Sequence, residues 1–271
     1  TLEQLRVGVA DLRPLEQQVK LSEVMVQAPE VWLARDAAGR IPVASPAPAR
    51  AASAPRTLQA ASRAKAPASA PNWRVEVARV ALEGGRLHWA DASVPGPNRQ
   101  PTALDLQAIR LQARDLAWPW VAPAGVEGGL ELAGEGGSLG FAGTVQPTRA
   151  DVTTTLAGLS LAPFGSYLAK YLEPAVGGRI DARAGVHWQA GGAQDATEDL
   201  RVVIDHAGIA AFSLGAARAP ALAWHQLSVE DAQVDLIRRQ VRLGRLGIDK
   251  PRVLVERDSA GVWMFERWTR A

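Results

Sequence analysis

The sequence predicts a mostly β protein: a long, curved antiparallel sheet forming a groove or a half-open barrel or sandwich, with one short amphipathic helix at about 163–172. Three observations predict it. Apolar residues alternate with polar ones in short runs along most of the chain, the period of half-buried strands. The 25 glycines and 18 prolines punctuate those runs. A single phrase also occurs near both ends, the mark of stacked units that share a core.

The first copy of that phrase runs from Val19 through Pro29, Val31, Arg35 and Asp36 to Gly39, and the second from Val241 through Pro251, Val253, Arg257 and Asp258 to Gly261. The offset is constant (241 − 19 = 222) and extends upstream, where Leu5 meets Leu227 and Val7 meets Val229. Ile41 and Val43 meet Trp263 and Phe265 in character. The chain therefore reads as about one period of a longer array.

In order, residues 1–41 are the strand-rich end of a preceding repeat, with alternation at Leu5, Val7 and Val9, at Val24 and Val26, and at Val31 and Leu33. Residues 42–71 are rich in Ala, Pro and Ser; such a stretch buries too little surface to offset ordering entropy, and a disordered linker is expected. Residues 72–271 form the main β domain, ending in the second copy over 227–265.

Within that domain, Gly84-Gly85 reads as the turn of a hairpin from Trp73 to Asp91. Closing on it pairs Leu82 with Leu87 and Val80 with Trp89 on one dry face. Leu104, Leu106, Ile109 and Leu111 continue as a strand whose parity slips near Gln107-Ala108, the sign of a bulge. A second hairpin, Gly129 to Pro147, pairs Leu132 with Leu139 and Leu130 with Phe141. Phe164, Tyr167, Leu168, Tyr171 and Leu172 then fall on one helical stripe behind Pro163. Further alternating strands follow from Ile180 to Val255.

Composition narrows the function classes. The 271 residues carry a net charge of only +2, so the pI of about 9.3 is no nucleic-acid footprint. Cysteine is absent, which removes disulfide frameworks and thiolate metal sites. No apolar run approaches 18 residues. Gly136-Gly-Ser138-Leu-Gly140 matches a nucleophile elbow in letters, but that device needs a helix after the serine, and strand-like Phe141–Val145 follows. His88, His187 and His225 each adjoin a Trp, which puts them on the face opposite it, in water. No catalytic, metal or cofactor site is expected. The candidate site is the apolar face: Val80, Leu82, Leu87, Trp89, Leu130, Leu132, Leu139 and Phe141.

Three stretches together resemble the AsmA-like superfamily of Gram-negative envelope proteins, in a branch catalogued only as a domain of unknown function. They are the terminal phrase in both copies, Trp73–Val77 running into Leu82–Asp91, and Leu159–Leu168 followed by Tyr171-Leu172 and Gly177–Asp181. The resemblance implies a curved antiparallel sheet folded into a groove, non-enzymatic, in the periplasm. It implies an inner-membrane anchor upstream, a role in phospholipid transport or outer-membrane biogenesis, acyl chains and envelope proteins as partners, and membrane contact through segments outside this chain. A structural, protein-binding β-sandwich is the alternative.

Overall fold

The computed structural model describes residues 1–41, 73–120, 122–134, 136–191, 198–216 and 218–269; the linker expected at 42–71 lies outside them. Strands make up 70% and helices 7%, so whatever core exists must come from the sheet.

The described strands form one sheet of fourteen. β1 (Gln4–Arg13) lies at one edge, followed in space by β2 (Gln18–Gln27) with its continuation β3 (Glu30–Arg35). Next come β4 (Arg74–Pro95), β5 (Pro101–Trp118), β6 (Ala124–Leu132), β7 (Ser138–Gln146), β8 (Arg149–Ser160), β9 (Val176–Gln189), β10 (Asp199–Ala216) and β11 (Ala219–Asp235). β12 (Gln240–Arg242), β13 (Arg245–Asp249) and β14 (Arg252–Val253) share the outer side of β11. From β4 to β11 every neighbour is antiparallel. β2 and β3 instead run parallel to β4, with Gln18 beside Arg74 and Arg35 beside Asp91. The sheet is therefore mixed, mostly antiparallel, and does not close into a barrel.

The repeated phrase is also a repeated structure. β1 pairs β2 with Leu5 opposite Val26 and Leu12 opposite Val19; β11 pairs β13 and β12 with Leu227 opposite Ile248 and Val234 opposite Val241. Gln17 and Arg239 both take φ near +54° (54° and 53°), and Ala28 and Lys250 match at 45° and 48°. Each copy ends in the same loop: Arg35 Nε donates to the Gly39 carbonyl at 2.9 Å, and Arg257 Nε to the Gly261 carbonyl at 2.6 Å.

Gly84-Gly85 does not turn the chain. β4 passes through it as one 22-residue strand. Gly84, at φ +68°, instead carries a bulge, so that Leu82 stands opposite Leu111 and Gly85 opposite Ile109. A glycine with positive φ serves a primed turn and a bulge equally well; here the strand beyond it finds β3 and β5 as partners, which outweighs folding back on itself. The bulge expected near Ala108 is present (φ 50°) at the same level, with Ala28 on the far side of β4. Because these extra residues run in step, Val80, Leu82, Leu87 and Trp89 keep one face, as expected, along one strand rather than across a hairpin.

The second hairpin forms with a different register. Leu130 faces Leu139 and Gly128 faces Phe141, two residues away from the expected pairs. A Cβ on Gly128 would lie 2.6 Å from Phe141 Cζ, so the ring needs this glycine opposite it. A slip of two leaves every side chain on its original face.

The helix is shorter than its stripe. A 3-10 turn at Ala162–Phe164 leads into α1, only Gly165–Leu168. Tyr171, on the expected stripe, is 69% exposed, so it adds little burial to hold a longer helix. Beyond it Leu172 bridges to Thr269, and Glu173 N–H donates to the Trp268 carbonyl at 3.0 Å.

A candidate site on the apolar face

Cross-strand register carries one apolar row through the sheet. At mid-height it reads Val7, Val24, Val80, Ala113, Val126, Gly143, Val152, Val186, Val202, Val234 and Val241, each beside the next. All eight expected residues belong to this face: Leu87 adjoins Leu106, which adjoins Leu132; Trp89 adjoins Leu104; Leu82 adjoins Leu111; Leu130 adjoins Leu139; and Phe141 adjoins Gly128. Of these eight only Leu132 is fully buried. The fully buried apolar residues among those described are Ala81, Val94, Ala124, Leu132, Leu214 and Ala232, mostly small. An apolar sheet face with so few large buried side chains is a face without a second layer on it.

Sequence reasoning named only β4, β6 and β7. The face continues through Leu156, Ile180, Trp188, Ile204, Ile209 and Leu214 to Leu222, Leu227 and Val229. There Phe212 and Trp224 stack with ring centroids 3.9 Å apart. Alternation announced each strand, but joining them into one surface requires the registers, bulges included.

α1 shows that this face is hollow at one end. It leaves β8 and returns to β9, yet the Tyr167 hydroxyl accepts a hydrogen bond from Trp89 Nε1 at 2.8 Å. β4 and β8 lie four strand spacings apart, about 19 Å in a flat sheet. One turn of helix spans that only if the sheet curls round it on the Trp89 side. Close by, Asp91 is fully buried. Its Oδ1 accepts from Ser93 N–H at 2.9 Å and Ser93 Oγ–H at 2.6 Å, and Arg35 Nη1 is 3.6 Å from Oδ2. Burial pushes this carboxyl up, but Ser93, Arg35 and the Tyr167 hydroxyl together outweigh it and hold it below the ordinary aspartate value. The opposite end carries Trp118, 67% exposed, at the close of β5.

The other face is charged and ion-paired. His88 is more than solvated: Nδ1 lies 2.8 Å from Asp105 Oδ1, Nε2 lies 3.0 Å from Glu30 Oε1, and the ring stacks on Trp32. The Asp105 and Glu30 carboxylates hold its pKa above the usual histidine value. His187 meets Asp151 at 2.7 Å and His225 meets Asp249 at 3.1 Å. A hollow of about 1010 Å³ is lined on this face by Glu83, Arg110, Gln112, Glu127, Thr155 and Arg183. Leu82, Leu111 and Phe141, from strands of the apolar row, line it as well. Ser138 opens β7 between Glu131 and Ala157, with strand after it, as expected.

The chain matches no protein-family model, no curated protein and no solved structure. No group of three or more His, Asp or Glu side chains that could hold a metal ion occurs among the described residues, and no described helix is long and apolar enough to cross a membrane. What the geometry offers is therefore a surface: one side greasy and incompletely covered, one side salt-bridged.

Proposed function

We propose that the apolar face holds hydrocarbon chains, and that the protein is a non-enzymatic lipid-handling module of the Gram-negative periplasm, working in phospholipid transport or outer-membrane biogenesis. A single observation carries this reading: an apolar row runs from β1 to β12 with no second layer over it among the described residues. Burying a chain of about sixteen carbons on such a face contributes on the order of 10 kcal/mol, at roughly 0.8 kcal/mol per methylene. The contact is non-directional, so it permits sliding. The resemblance to envelope proteins supports the compartment, and α1 at one end gives the trough a floor.

Native mass spectrometry of protein purified from a Gram-negative host tests it. Phospholipid is expected to be retained, and lost on delipidation with organic solvent. A lipid-free protein that also fails to take up a fluorescent phospholipid from vesicles sinks the reading.

A further inference from the structure

The two copies of the terminal phrase differ in what stands beside them. In the first, β2 has β1 on one side and β4 on the other, and β3 pairs β4, both laid parallel to it with Val24 beside Val80 and Val31 beside Leu87. In the second, β12, β13 and β14 have β11 on one side, and among the described residues nothing pairs their other edge. The side chains record the difference. Val19, Leu21, Val24 and Val26 are half-buried, whereas their counterparts Val241, Leu243, Leu246 and Ile248 are 64, 60, 62 and 51% exposed.

Charge says what fits. In the first copy Lys20 meets Glu76 at 2.8 Å, Glu30 meets His88 at 3.0 Å and Arg35 lies 3.6 Å from Asp91, so β4 answers β2 and β3 residue by residue. The counterparts in the second copy are Arg242, Arg252 and Arg257, all cationic. Arg245 stands where Glu23 does, but Glu230 of β11 already pairs it at 2.8 Å. Arg242 and Arg252 make no ion pair among the described residues, and Arg257 spends Nε on Gly261 as Arg35 does on Gly39.

We infer that the edge formed by β12, β13 and β14 is a docking site for one kind of partner: an extended protein strand of the β4 type. It lies parallel, apolar at alternate positions, with carboxylates facing Arg242, Arg252 and Arg257. Relative to β4 it keeps the acids of Glu76 and Asp91 and carries an acid in place of His88. Backbone pairing of this kind supplies affinity, and the alternate side chains supply register. The inference rests on the repeat and the open edge, not on lipid binding.

Because the chain lacks cysteine, introduced thiols report register cleanly. The probe is a synthetic peptide with the sequence of residues 74–95 and the changes Arg79→Glu and His88→Glu, made in two further forms with Val80→Cys or Leu87→Cys. The protein carries Leu246→Cys or Val253→Cys, both at exposed positions. Under mild oxidation, Leu246→Cys is expected to cross-link the Val80→Cys peptide and Val253→Cys the Leu87→Cys peptide, at least tenfold over the crossed pairs. Without oxidation, hydrogen exchange in β13 is expected to slow when the cysteine-free peptide is added. The acidic peptide is expected to bind at least tenfold tighter than unaltered β4 sequence, with Arg252→Glu reversing the preference at position 88. Crossed pairs linking equally well, a protein homodimer through Leu246→Cys, or no slowing of exchange overturns the inference.

Discussion

Trp89 donates its indole N–H to the Tyr167 hydroxyl at 2.8 Å, joining a strand in the middle of the sheet to a helix inserted between two strands further along. The Tyr167→Phe protein is expected to lose about 1 kcal/mol of stability, read as a lower urea midpoint, and the Trp89 fluorescence environment is expected to become wetter. An unchanged midpoint and spectrum would mean that α1 is held by packing alone.

His88 makes stability depend on pH. Its folded-state pKa is raised by Asp105 first and Glu30 second, against a smaller opposing effect of burial. A raised pKa means that the protonated ring binds its carboxylates in the folded state. The contribution is full below the unfolded value of about 6.5 and fades as pH rises through the folded value. The stability gap between the native protein and His88→Gln is expected to be wider at pH 5.5 than at pH 8.5. A gap that grows with pH would reverse the assignment.

Two glycines in neighbouring strands give opposite predictions. A Cβ on Gly143 would overlap the Asp151 carbonyl oxygen and lie 2.7 Å from Val152 Cα, both backbone, so Gly143→Ala must push β8 away. A loss of about 1–3 kcal/mol is expected. Gly125 has nothing within 4 Å of the same position, and Gly125→Ala is expected to be neutral or to stabilise by about 0.4–1 kcal/mol through the unfolded chain. Thermal or urea unfolding of the pair checks both.

Leu156 and Thr155 are adjacent in β8 and point to opposite faces. If hydrocarbon occupies the apolar side, Leu156→Asp is expected to cut retained phospholipid severalfold, and Thr155→Asp to leave it unchanged. Equal loss in both, measured by mass spectrometry of correctly folded protein, would detach lipid from the face.

Much of this was readable from the residues. Alternation is local physics, so Val80, Leu82, Leu130 and Phe141 could be placed on a dry side before any strand was paired. Gly84 was not readable as a bulge, because a turn and a bulge ask the same φ of it; the decision lies with Leu104–Ile109 of β5, a non-local competitor for the same edge. The parallel pairing of β2 and β3 with β4 lay equally out of reach, since residue 18 meets residue 74 across the stretch 42–71. The repeat foretold the matched loops at Gly39 and Gly261, but not that one copy would have β4 beside it and the other an open edge.

Ala28, Gly84 and Ala108 sit abreast, each adding one residue to its strand at the same level. In each strand the spare residue absorbs one step of the alternation, so Leu82 and Leu87, an odd number of residues apart, still share a face. Taking Gly84 out would restore plain alternation, with Leu82, Gly85, Leu87 and Trp89 on one side and Glu83, Arg86 and His88 on the other. A further residue inserted there would instead swing His88 into the grease and Trp89 out of it, so this level of the sheet tolerates losing a residue more readily than gaining one.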